Sequence, residues 1–137
     1  MRTFFAVLCF CVGVIYADPV DSPVSDCPKI LSRNRWGAKA AKQSEAIVIP
    51  VEYVIIHHTV TPTCTDEDEC SQRLVSIQNY QQNQKNFPDI GYNFLIGGDG
   101  KIYEGVGWHT LGHHTLEWNK KSVGIGYIGN FTTEAPS

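Results

Sequence analysis

The chain has 137 residues, 42% of them hydrophobic and 18% charged, with a formal net charge of −3. It carries no basic stripe and no alternation of basic and aromatic residues, which argues against nucleic acid as a partner. No apolar run approaches the ~20 residues that a membrane-spanning helix needs, and the length fits one domain.

Residues 1–17 read as a secretory signal peptide. Met1 and Arg2 supply a short positive region, Phe4 to Val14 an apolar core, and Ile15-Tyr16-Ala17 a cleavage site before Asp18-Pro19. Cleavage there leaves ten cations against fourteen acids and removes Cys9 and Cys11, so Cys27, Cys64 and Cys70 enter an oxidising, extracellular compartment. Residues 18–29, with Pro19 and Pro23, form a polar lead-in to a domain over 30–137. At its start, Ile30 to Trp36 can anchor the chain through the broad apolar face of Trp36. Ala38 to Glu45 is a short helix or a loop.

Val51 to His57 is the first predicted strand, rich in β-branched and aromatic residues. It ends in His57-His58-Thr59, polar side chains at the tip of a rigid element, where sites are commonly built. Cys64 and Cys70 flank a five-residue segment and can close it, which the chain-entropy model values at roughly 2 kcal/mol. Cys27 is then a free thiol, or its partner lies beyond Ser137 or on another molecule. The run Asp66 to Glu69 lacks the alternating ligands and glycine of a calcium loop. It suits the acidic first turn of a helix predicted over Asp66 to Gln84, in which Cys70, Leu74 and Ile77 recur at helical spacing and which Pro88 stops.

Tyr92 to Ile96 and Lys101 to Glu104 read as strands joined by the hairpin signal Gly97-Gly98-Asp99-Gly100. Lys121 to Ile128 is a last strand, whose alternating Gly124 and Gly126 leave room on one face for a helix or another chain segment. Asn130-Phe131-Thr132 is an N-glycosylation sequon, with Asn130 as acceptor. Strand, helix, hairpin, strand implies an α/β fold with a mixed central sheet. Such a sheet is flanked by helices on both faces, and only one is legible, so the chain reads as cut short after its last strand.

Taken together, several short motifs resemble the peptidoglycan recognition proteins, secreted innate-immune relatives of phage-lysozyme-type zinc N-acetylmuramoyl-L-alanine amidases. They are Arg35-Trp36-Gly37-Ala38, Val54 to Thr59, the Cys64 and Cys70 pair, Asp89-Ile90-Gly91-Tyr92-Asn93-Phe94, Tyr103 to Trp108, Gly112-His113-His114-Thr115, and Ser122 to Ile125. The resemblance runs from Cys27 to Phe131 and implies a domain whose last third is absent. It implies a protein that binds bacterial peptidoglycan or muropeptides and passes the signal to an immune-signalling partner.

The family's enzymes cleave the amide between the lactyl group of N-acetylmuramic acid and L-alanine, using a zinc held by two His and one Cys. Three protein ligands and one water make a catalytic zinc. His57 matches the first of these ligands, and Tyr92 the catalytic tyrosine, suited to stabilising an oxyanion. The second His and the Cys match nothing before Ser137, so the chain as it stands is expected not to hold catalytic zinc.

The resemblance also assigns ligand contacts to His58, Thr59, Lys85, Tyr92, His114 and Asn119. The family often has His where Gln81 stands. Asn86-Phe87 and Val106 match the pattern that accompanies Lys-type stem peptides. Gly-Trp with Arg accompanies the diaminopimelic type, whose extra carboxylate the guanidinium pairs.

Overall fold

The computed structural model describes residues 27–136; the expected signal and most of the lead-in lie outside them. Five strands form one mixed sheet: β1 (Ile30–Leu31), β2 (Tyr53–His58), β3 (Phe94–Ile96), β4 (Ile102–Glu104) and β5 (Ser122–Tyr127), in spatial order β1-β4-β3-β5-β2. Only β3 and β4 pair antiparallel, as the glycine-rich hairpin requires; the other pairings are parallel. The mixed α/β architecture expected from the element order is the one observed.

Between β2 and β3 runs α1 (Glu67–Asn83), whose ends match the sequence reading within one residue. Asp66 caps it by accepting from the Glu69 N–H at 2.8 Å, and Glu69 reaches back to the Thr65 N–H at 2.8 Å. This is a reciprocal arrangement of the capping-box kind. The acidic first turn is therefore a helix start, with Glu67 bridging Arg35 and Lys101.

The inner face of α1 places Cys70, Leu74 and Ile77 against Leu95 and Tyr103, with Trp36, Cys64, Ile90 and Ile128 closing the core. Trp36 anchors the N-terminal segment as expected, and its indole N–H donates to the Glu104 carbonyl at 2.8 Å. Cys64 and Cys70 form a disulfide, both fully buried, and Cys27 is exposed and free among the described residues.

Segment 38–45 is neither helix nor strand. Two buried glutamines of α1 satisfy its backbone instead: Gln78 binds both the N–H and the carbonyl of Lys39, and Gln82 donates to the Ala40 carbonyl. Gln78 also donates to Asp89 at 2.7 Å, and Asp89 pairs with Arg33 at 2.8 Å. One polar network thus ties the N-terminal segment, α1 and the approach to Tyr92 together. No helix of the described residues is long and apolar enough to cross a membrane.

α1 covers one face of the sheet, and no second α-helix among the described residues covers the other. On that face Val54 and Ile56 of the edge strand β2 are each 59% exposed. His57 and His58 divide between the two faces, because successive strand residues point to opposite sides. That alternation decides which histidine joins the site.

Candidate ligand-binding site

His57 points to the α1 side of the sheet, where its ring meets two others. Its Nε2 lies 3.1 Å from Nδ1 of His114, and its ring centroid 5.6 Å from that of Tyr92. The Thr115 hydroxyl stands 3.3 Å from His57 Nε2 and 3.2 Å from His114 Nδ1. Sequence reasoning named His57, Tyr92 and His114; it missed Thr115, which only the path of the loop brings in. His58 was expected with them and is not there. It lies on the opposite face, where its Nδ1 accepts from the Phe131 N–H at 2.9 Å.

The floor under these rings is β5. A Cβ on Gly124 would stand 2.3 Å from the His114 ring, and one on Gly126 3.2 Å from the Tyr92 ring. The alternating glycines read from the sequence make room for two aromatic side chains on neighbouring segments, not for a helix.

Asn119, expected as a ligand contact, has its amide oxygen committed to the loop. It accepts from the N–H groups of His114 and Thr115 at 3.0 and 2.8 Å, and so orients both side chains. Gln81 holds the Gly91 N–H at 2.8 Å and so fixes the turn into Tyr92. Asn93, fully buried, joins that turn to the loop carrying Val106 and His114.

Thr59 closes the other end of the site. Its hydroxyl shares a hydrogen bond with Thr61 at 2.7 Å and accepts from the Gly129 N–H. Lys85 is exposed, its ammonium 5.6 Å from the Tyr80 ring.

Asn86 has a left-handed backbone (φ 57°), a conformation that Asn and Gly adopt most readily. Phe87 packs its ring 5.6 Å from His113, which lines a small cavity together with Val106. The Val106 N–H donates to the Tyr92 carbonyl at 3.0 Å. Two of the residues that the resemblance links to stem-peptide type, Phe87 and Val106, therefore both adjoin His113. Asn130 is exposed and its side-chain oxygen accepts from the Thr132 N–H, leaving the sequon accessible.

Burial lowers the pKa of His57, with the charge of His58 a second cause. His114 is pushed down to about 4, first by burial and then by His57, against an opposing contribution from the Ser122 backbone. Both rings are therefore neutral at physiological pH, and one donates to the other. A histidine neutral in the fold but free to charge when unfolded stabilises fully above its unfolded pKa near 6.5. As pH falls toward 4 the unfolded chain takes up the proton first, and stability drops. In metal-free buffer the urea midpoint is expected to fall between pH 6.5 and 4 more steeply for the wild type than for His114→Gln. Parallel curves would show that His114 does not carry the effect.

The donor set can be tested against zinc. Two imidazole nitrogens and a hydroxyl converge at His57, whereas a catalytic zinc takes three nitrogen, sulfur or carboxylate ligands and a water. No group of three His, Cys, Asp or Glu able to hold a metal occurs among the described residues, and Cys70 is spent in its disulfide. These residues alone do not complete a zinc site.

Comparison with known proteins places this geometry. Residues 48–137 match the N-acetylmuramoyl-L-alanine amidase family. The chain is 56% identical to peptidoglycan-recognition protein 2 of Holotrichia diomphalia over 128 residues, covering 93% of this chain and 68% of the relative. It is 47% identical to peptidoglycan-recognition protein 1 of the same organism, over 98% of this chain and 68% of that one. Among solved structures, bumblebee PGRP-SA superposes with a TM-score of 0.78 at 50% identity, over 81% of this chain and 66% of that one. Peptidoglycan recognition protein-LE, solved in complex with tracheal cytotoxin, a monomeric diaminopimelic acid-type peptidoglycan, gives 0.77 at 38% identity over 79% of this chain and 64% of that one. The chain thus spans about two-thirds of the length of these relatives. It belongs to the peptidoglycan-recognition proteins of the N-acetylmuramoyl-L-alanine amidase family.

Proposed function

We propose that this chain is a secreted pattern-recognition protein that binds the stem peptides of bacterial peptidoglycan, Lys-type favoured, and relays binding to an immune-signalling partner. The observation that carries the reading is the convergence of His57, Tyr92, His114 and Thr115 into one half-buried cluster at the tip of β2. Neutral imidazoles, hydroxyls and an aromatic face suit the amides, sugar hydroxyls and methyl groups of a muropeptide. Secretion rests on the composition of residues 1–17, and the accessible sequon at Asn130 agrees with it.

Stem-peptide preference rests on Val106, which offers no cation where a diaminopimelic carboxylate would need one. Burying that carboxylate unpaired costs several kcal/mol, in the range of ~3–5 for a broken buried ion pair. The triple change Asn86→Gly, Phe87→Trp and Val106→Arg is expected to reverse the preference between Lys-type and diaminopimelic-type muropeptides in calorimetric titration. The left-handed backbone at residue 86 accommodates the glycine. An unchanged preference would refute the assignment, and a wild type that folds but binds neither muropeptide would refute recognition itself.

The family match and the position of Tyr92 beside His57 favour one second reading, that the chain is part of a zinc amidase. It requires two ligands that the described residues do not supply. Tight 1:1 zinc binding with cleavage of the muramyl–alanine amide would establish it.

A further inference from the structure

Tyr92 is a wall shared by two spaces. Beyond the histidine cluster it also lines a cavity of about 410 Å³, enclosed by Thr59 and Thr61 from the loop after β2 and by Arg73, Ser76 and Tyr80 from α1. Nothing in the sequence reading assigned a role to Arg73.

Arg73 is the one charged residue lining this cavity, and no carboxylate lines it. Its Nε is buried without a hydrogen-bond partner, and none of the ion pairs among the described residues includes it. Glu69, one helical turn earlier and the natural intrahelical partner, is engaged with the N–H and hydroxyl of Thr65.

The rim opposite is held in place. Val60, a β-branched residue, has a left-handed backbone (φ 54°), which such residues adopt only when their surroundings enforce it. The bonds of Thr59 to Thr61 and to Gly129 do so. An arginine whose Nε lacks a partner, lining one cleft with the threonines of the opposite wall, suits an anion, and its planar fork matches a carboxylate.

We infer that α1 supplies a cationic subsite, centred on Arg73, that takes a carboxylate of the stem peptide whose body lies against Tyr92. Arg73 is thereby a specificity-determining residue. This rests on the recognition reading above, and its test is arranged to separate the two.

The probes are muramyl tripeptides with Lys at the third position. They are made with the carboxylate of the second residue free or amidated, and separately with the C-terminal carboxylate free or amidated. Wild type is expected to bind the free form of one of these carboxylates about tenfold more tightly than its amide at low salt. Arg73→Gln is expected to lose that tenfold on the free form while binding the amide as before. Arg73→Lys keeps the charge without the fork and should fall between them.

The subsite is overturned if wild type binds acids and amides equally, or if Arg73→Gln weakens both forms alike. A wild type that binds no probe overturns recognition, and this inference with it. A thermal melt of each variant confirms that the fold is intact, and Arg73→Lys carries the test if the glutamine variant does not fold.

Discussion

Replacing Asn93 by alanine is expected to destabilise the domain by about 3–5 kcal/mol. The side chain is fully buried. Its amide donates to the carbonyls of Gly107 and Thr110 at 2.8 and 3.0 Å, and its oxygen accepts from the Gly124 N–H at 2.9 Å. Alanine would strand three backbone groups from three segments, each at roughly 1–3 kcal/mol, with partial relief where water enters. Typical domain stabilities of about 5–15 kcal/mol make that a large fraction of the total. Asn93→Asp is the sharper test. It keeps the shape and the acceptor but points a carboxylate at two carbonyls, so at neutral pH it is expected to cost at least as much. Urea unfolding with an unchanged slope reads both values. A loss below about 1 kcal/mol in either variant would mean that the loop carrying Val106 and His114 is held by something else.

The contrast between Asn93 and the residues that were legible explains where sequence reasoning reaches. Strands β2 to β5 and α1 announce themselves through local periodicity, and their bounds agree within a few residues. Tyr92 was read as part of a strand, yet β3 begins at Phe94, because the Tyr92 carbonyl is spent on the Val106 N–H. β1, two residues long and paired in parallel with β4, has no local signature at all; only its contact with a strand some seventy residues away defines it. Within the site, the strand-end position of His57 was legible from the residues, whereas Tyr92 and His114 were reached through the family resemblance. The roles of Thr115 and Asn93 and the orienting roles of Gln81 and Asn119 were not legible, since they lie in hydrogen bonds to segments that the fold alone brings near. His58 shows the limit most plainly. Strand alternation already requires two adjacent histidines to face apart, but which one faces the site depends on where the sheet puts α1.

Gly124→Ala is expected to weaken ligand binding severely with a smaller effect on stability. The added methyl would stand 2.3 to 2.7 Å from three atoms of the His114 ring, closer than any packed structure allows. His114 sits on a loop and β5 in the sheet, so the ring is what moves, breaking its bond to His57. Overpacking of this kind costs about 1–3 kcal/mol in stability. Displacing a central groove residue is expected to weaken muropeptide binding ~100-fold, equivalent to about 2.7 kcal/mol.

Two further measurements separate this mechanism from general damage. Once out of its pocket, His114 loses the burial that holds its pKa near 4. Its ring proton resonance should then titrate close to the ordinary histidine value of 6.5. Gly126→Ala is the control, because its methyl would meet the Tyr92 ring at 3.2 to 3.4 Å, a contact that a shift of a few tenths of an ångström relieves. It should bind within a few-fold of wild type, about 1 kcal/mol. If Gly124→Ala kept both wild-type affinity and the depressed His114 titration, the ring would not be seated on β5 and the cluster would have to be rebuilt around His57 and Tyr92 alone.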